Sequence, residues 1–204
     1  MEKPATRDTP ASSSPLSAAT QPHVLIAPIG AFKADLLQPI GHAIEGLFGY
    51  ATCIHSLMQD IGFAFDTERE QYHSTLILEK LAATAPAQAL KVMAITTVDL
   101  FIPILTHVYG EAQLGGRACI ISTCRLDEGL PLSHLTDLAQ TRLIKEALHE
   151  LGHTFNLRHC PDRGCCMHYC RSLRDVDRKS GQLCRHCLVL LGDEIKRLGR
   201  WPEK

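Results

Sequence analysis

The sequence predicts an α/β fold, a twisted and mostly parallel sheet with helices on both faces. Two observations carry this. Short apolar runs bounded by turn residues alternate along the chain with longer segments whose apolar residues recur at helical spacing. Two of the short runs, 91–97 and 118–123, read as strands buried on both sides, which is the environment of parallel strands covered by crossover helices.

Taken in order, residues 1–21 mix charges with Pro, Ser, Ala and Thr and read as a disordered tail. His23–Pro28 is expected to be the first strand, 36–48 a helix and 51–57 a second strand. Apolar residues at helical spacing predict a helix over 68–83. Then come a buried strand at 91–97, a short edge strand at 107–112 and a further buried strand at 118–123. The segment 135–155 predicts a long helix, with Ser133 or Thr136 as its cap. A loop-rich, cysteine-bearing stretch follows, and the last helix is expected at Arg185–Leu198. There are no internal repeats.

A chain of 204 residues is one domain of ordinary size. A cleft is expected to divide it into an upper lobe of about 22–156 and a lower, cysteine-rich lobe of about 157–204. The 45% hydrophobic content is that of a globular protein, and a net charge of −1 argues against a general binder of nucleic acid or anionic membrane. No run approaches the roughly 18 apolar residues that span a bilayer, and the N-terminal stretch lacks the apolar core of a secretory signal. The expectation is a cytoplasmic protein. There its nine cysteines stay reduced and serve better as ligands than as bridges. Oligomeric state is not legible.

The chemistry concentrates in eleven residues, His149-Glu150-Leu151-Gly152-His153-Thr154-Phe155-Asn156-Leu157-Arg158-His159. Two histidines four apart on a helix share a face one turn apart, so their imidazoles can bind one cation. Glu150 follows the first of them, within reach of a zinc-bound water, as general base and not as ligand. A straight helix would carry His159 away from the metal, so the chain must break near Asn156. After Gly, Asn is the residue that most readily takes the left-handed conformation that ends helices. Directly after His159 comes Cys160, then Cys165, and later Cys184 and Cys187. A C-x4-C pair followed by C-x2-C can close a tetrahedral zinc site; two disulfides or plain buried thiols are the alternatives.

The string H-E-x-x-H-x-x-N-x-x-H-C-x4-C-x-M followed by C-x2-C resembles the archaemetzincins, a branch of the metzincin zinc metalloproteases. So do four upstream blocks, in the same order: Gln71-Tyr72-His73-Ser74, Val98-Asp99-Leu100-Phe101, Tyr109-Gly110-Glu111-Ala112 and Ile121-Ser122-Thr123-Cys124-Arg125-Leu126. The likeness covers about residues 23–200. It implies a metzincin-like fold with an active-site helix and a small zinc-stabilised C-terminal subdomain. It also implies a metallopeptidase with two zinc ions, acting on peptide substrates; the resemblance suggests aminopeptidase-type cleavage, and the residues leave endo- against exo-cleavage open. His149, His153 and His159 would hold the catalytic zinc, and Glu150 would be the base. Cys160, Cys165, Cys184 and Cys187 would hold a structural zinc, and Met167 would form the turn that floors the site. Asn156 departs from the glycine usual there. Metzincins hold extended peptides against an edge strand, here Val108, Tyr109, Gly110, Glu111 and Ala112; an ordinary edge with a bulge at Gly110 is the alternative. The Met167-His168-Tyr169 pattern resembles astacins and serralysins, whose matching tyrosine reaches the zinc.

Two competing readings belong to other classes. A zinc-stabilised binding module with a vestigial protease site would have no need of Glu150. Recognition of nucleic acid through Arg171, Arg174, Arg178, Lys179 and Arg185 is opposed by Asp175, Asp177 and the near-zero net charge, so no nucleic-acid partner is expected.

Overall fold

The computed structural model describes residues 21–126 and 137–199. The first strand, β1 (His23–Pro28), leads into α1 (Ala34–Phe48), which Gly49 ends at φ 80°. Pro39 lies inside this helix and offers no N–H to Asp35; the freed carbonyl is approached by Gln140 Nε2 at 3.5 Å. Then follow β2 (Thr52–Ile54), β3 (Phe65–Asp66), β4 (Gln71–His73), α2 (Ser74–Thr84), β5 (Ala89–Thr96) and β6 (Leu100–Phe101). The second half carries β7 (Gly110–Ala112), β8 (Ala118–Ser122), α3 (Asp137–Thr154), α4 (Leu173–Arg178) and α5 (Arg185–Leu198).

Five strands form the main sheet in the order β2-β1-β5-β8-β7. The first four are parallel and β7 runs antiparallel to β8 at the end of the order. Side chains alternate between two cores, as a pleated strand requires. Val24, Ile26, Met93, Ile95, Cys119 and Ile121 face α1 and α3, while Leu25, Ala27, Val92, Ala94, Ala118 and Ile120 face α2. All eight residues of β5 are buried, six of them apolar, with Lys91 and Thr96 as the buried polar exceptions. Phe155, at the end of the long helix, stacks on Phe48 and Tyr50 with ring centroids 5.0 and 5.8 Å apart. This aromatic stack clamps α1 against α3.

Several expectations need correction. The segment 68–83 is not one helix. Asp66 Oδ1 accepts the backbone N–H groups of Glu68 and Arg69 in an Asx-type turn, and Glu70 takes φ 53°. Residues 71–73 then form β4, which pairs with β3 and β6 in a small second sheet. Tertiary pairing overrode the local periodicity. The second strand covers only 52–54 of the expected 51–57. The edge strand shortens to Gly110–Ala112, although Val108 bridges Leu100 and Tyr109 still bonds to Ser122. The cysteine-bearing stretch contains the short helix α4. The expected tail 1–21 (save Gln21), the expected caps Ser133 and Thr136 and the expected helix start at 135 lie outside the described residues.

Candidate active site

The long helix α3 presents His149, Glu150 and His153 at one end. It stops where the sequence requires: Asn156 is left-handed, at φ 61°. The N–H of Asn156 bonds to the His153 carbonyl at 2.9 Å and that of Leu157 to the Gly152 carbonyl at 3.1 Å, a Schellman reversal. The carbonyl of Thr154, left over at the helix end, accepts Lys91 Nζ at 2.6 Å, and the same ammonium bonds to Gly116 at 2.7 Å. This buried lysine of β5 caps the active-site helix, and burial pulls its pKa down to about 8.

The reversal returns His159 to the other two histidines. The ring centroid of His153 is 4.7 Å from that of His149 and 4.9 Å from that of His159. One nitrogen of each ring lies within 4.8 Å of the others. His149 and His153 point their Nε2 atoms at each other across 3.2 Å. Their Nδ1 atoms face carbonyls, Cys166 at 2.9 Å and Leu157 at 2.7 Å. With Nδ1–H donated outward, the Nε2 lone pairs converge on one point, the tautomer a metal ligand needs. Burial holds the pKa of His149 well below the usual range, takes that of His153 to about 4 and lowers that of His159, so the rings are neutral at neutral pH. Three neutral imidazoles with an open fourth side fit a catalytic zinc.

Glu150 is buried beside them, and burial, reinforced by Glu146 one turn earlier, raises its pKa well above the carboxylate range. A cleft of about 600 Å³ opens over these residues, with 107–112 on one side and Tyr169 to Arg171 on the other. Two glycines permit the close fit. A Cβ on Gly110 would stand 2.7 Å from Glu150 Cγ and 2.6 Å from the Ile120 carbonyl, so β7 can approach the carboxylate only without a side chain. A Cβ on Gly152 would stand 2.5 Å from Met167 Sδ. Glycine in a helix interior costs roughly 1 kcal/mol relative to alanine; here it admits the fully buried Met167 against the helix between His149 and His153. Met167 sits in a turn closed by the His168 N–H on the Cys165 carbonyl at 2.9 Å.

The second cluster begins one residue after His159. The sulfurs of Cys160, Cys165, Cys184 and Cys187 lie within 4.8 Å of one another, three of these residues being buried. All nine cysteines are free thiols, which removes the disulfide alternative. Two sets of donors, one open and one closed, give the chain two candidate metal sites.

Comparison with known proteins agrees with this geometry. The profile of peptidase family M54 matches residues 58–193. The chain belongs to this family, the archaemetzincins. The archaemetzincin of Methanopyrus kandleri is 40% identical over 136 residues, covering 67% of this chain and 74% of the relative. The crystal structure of an archaemetzincin from that organism superposes with a TM-score of 0.77 at 29% identity, covering 90% of this chain and all of the other. A zinc-dependent peptidase from Methanocorpusculum labreanum gives a TM-score of 0.73 at 26% identity, covering 82% and 99%. The protein is thus a zinc metalloprotease of the archaemetzincin family, with its mostly parallel α/β fold and C-terminal four-cysteine cluster. No helix among the described residues is long and apolar enough to cross a membrane.

Tyr169 lines the cleft with its ring centroid 4.9 Å from that of His159. The sequence reading missed a buried ion pair at this site: Lys179 Nζ lies 2.7 Å from Glu146 Oε1, with both side chains almost fully enclosed. Glu146 was within reach of pattern, standing four residues before Glu150 on the same helical face. Lys179 was not, and it had been grouped with surface arginines. Its burial takes it out of any nucleic-acid-binding surface.

Proposed function

We propose that this archaemetzincin hydrolyses peptide bonds at the centre formed by His149, His153 and His159, with Glu150 as the proton-transferring base. Cys160, Cys165, Cys184 and Cys187 hold a second, structural zinc. The observation that carries this reading is the convergence of three imidazoles, two with Nδ1 committed to carbonyls, beside a buried carboxylate in a cleft. Zinc bound by the imidazoles supplies Lewis acidity and brings the pKa of water to roughly 7.

Glu150 takes a proton from the attacking water and delivers it to the leaving amine. Its buried seat favours holding that proton between the two steps. An extended peptide pairs its backbone with residues 108–112, where Gly110 keeps the approach to Glu150 clear. Met167 forms the apolar floor, and Tyr169 beside His159 hydrogen-bonds the developing oxyanion. The cleft separates an upper lobe, about 22–156, from a lower one, about 157–204. A reducing cytoplasm suits the thiolate cluster.

The test is incubation of the zinc-loaded protein with a diverse peptide library, with cut positions read by mass spectrometry; these also separate internal cleavage from removal of N-terminal residues. Glu150→Ala is expected to keep the fold and both zinc ions and to lose about 10²–10⁴ in rate. Cleavage by that variant at the parental rate would overturn the assignment.

A further inference from the structure

Beside the catalytic cleft lies a second pocket of about 370 Å³, lined by Arg163, His168, Tyr169, Arg171, Asp175 and Arg178. Tyr169 and Arg171 line both cavities, so the two adjoin. The charge of the smaller one is one-sided. Three arginines and a single carboxylate line it, and that carboxylate is already engaged. Asp175 Oδ2 accepts the Ser172 hydroxyl at 2.9 Å and the backbone N–H of Arg171 at 3.2 Å. His168 shares its Nδ1 with the Cys160 carbonyl at 3.0 Å, which ties this wall to the histidine and cysteine clusters.

Most other arginines of the described residues have a structural task. Arg125 pairs with Asp99, Arg142 with Asp177 and Arg197 with Glu194. Arg117 bonds to the carbonyls of Pro86 and Ala89, and Arg69 to those of Leu105 and Pro103. Arg163, Arg171 and Arg178 have no carboxylate within ion-pair distance among the described residues. A single solvated arginine needs no explanation. Three that line one concavity, opening off a peptide cleft, make none of these ion pairs, although Arg171 lies over the Tyr169 ring at 5.8 Å, and they present donors suited to an anion.

We propose that this pocket is a carboxylate-recognition subsite for the bound peptide. It accepts an Asp or Glu side chain, or the terminal carboxylate of the peptide, close to the scissile bond. The inference rests on the peptidase reading above and adds a substrate class to it. Planar guanidinium groups match a carboxylate through paired N–H donors. The reach is short: Tyr169, whose ring stands 4.9 Å from that of His159, separates the two cavities. An extended peptide advances about 3.3–3.6 Å per residue. A group one or two residues from the cut therefore reaches past that ring. A polyanion such as RNA fits less well, because a chain of net charge −1 offers it no general electrostatic attraction.

Two arms test this. In the first, the cleavage library contains matched peptides with Glu or Gln near the cut and with free or amidated C-termini. The zinc-loaded protein is expected to prefer one carboxylate source, and Arg171→Ala with Arg178→Ala to erase that preference by raising KM about fivefold with little change in kcat. In the second, calorimetry measures binding of the same peptides to the zinc-loaded Glu150→Ala protein, whose circular dichroism confirms folding. Acidic peptides should bind about fivefold more tightly than their neutral partners, a margin lost in the double arginine variant and retained in Arg174→Ala. Equal binding of acidic and neutral peptides would overturn the proposal, as would tighter binding of an oligonucleotide. If the wild-type protein cleaves nothing, the peptidase reading fails, and the binding arm still decides the subsite.

Discussion

The two candidate metal clusters are consecutive in sequence, His159 beside Cys160, yet they are built in opposite ways. Two of the three histidines stand on a long helix, and the third is returned by a hydrogen-bonded reversal at Asn156. Carbonyl partners hold the rings of His149 and His153, and one side of the cluster opens to the cleft. The four cysteines come from irregular segments and the very start of α5, and they are largely buried. Little regular structure fixes their sulfurs apart from the Cys184 N–H on Cys165 Sγ at 3.3 Å. A site on a capped helix can thus be pre-formed, whereas a site assembled from loops depends on its ion for its shape.

That contrast breaks most visibly through metal content. The protein is expected to carry close to two zinc ions per chain, one removed by mild chelation and one resistant. His153→Ala should lose only the labile ion and keep the fold. Cys184→Ser should lose the resistant one and most of its folded yield, because zinc binding by such sites is coupled to folding by several kcal/mol. Elemental analysis alongside circular dichroism reads both outcomes. Freely alkylated cysteines in the native protein would erase the distinction between the clusters.

A smaller effect probes how rigidly the helix cluster is held. Gly152→Ala would force the added methyl against Met167 Sδ and should cost about 1–3 kcal/mol by overpacking. It should also weaken binding of the labile zinc while sparing the cysteine-bound ion. Denaturant unfolding and competition with a zinc indicator measure the two.

The reversal itself is tested at Asn156. A β-branched residue resists positive φ, so Asn156→Val should destabilise by about 1–2 kcal/mol, while Asn156→Gly should be neutral or mildly stabilising. Thermal melts of the two variants give the comparison.

A last test, confined to alkaline pH, is the stability slope set by Lys91. Burial lowers its pKa to about 8 from an ordinary 10.5. Between these values the unfolded chain binds more protons than the folded one, so stability from this group rises with pH across about 8 to 10.5 and is flat below. Lys91→Met should abolish that rise, as urea titrations at several alkaline pH values would show.

Much of this was legible in the sequence. Local patterns sufficed for β1, a short apolar run buried on both faces, and for the body of α1 and α3 and the whole of α5, each of which buries one periodic face. The residues of both clusters were equally plain, since ligand spacing is constrained over a few residues. Where the reading failed, distant partners decided. The segment 68–83 has helical periodicity, yet residues 71–73 pair with β3 and β6, and Gln71 Nε2 bonds to Asp99 Oδ2 at 2.7 Å. The edge strand shortened because only residues 110–112 find ladder partners on β8.

From the residues alone came the candidate ligands, the candidate base, the need for a break at Asn156 and the alternation of strands and helices. Each is a local matter of residue type and spacing. Only the tertiary structure decided what surrounds them. It brought Lys91 across to cap α3, Lys179 to Glu146, the thioether of Met167 onto Gly152 and Gly110 against Glu150. It also gathered Arg163, Arg171 and Arg178 around one pocket. These contacts join residues whose spacing along the chain follows no period, because they are chosen by packing between elements. Two sequence segments hold no record of which other segment they will meet until the sheet order and the helix faces are fixed.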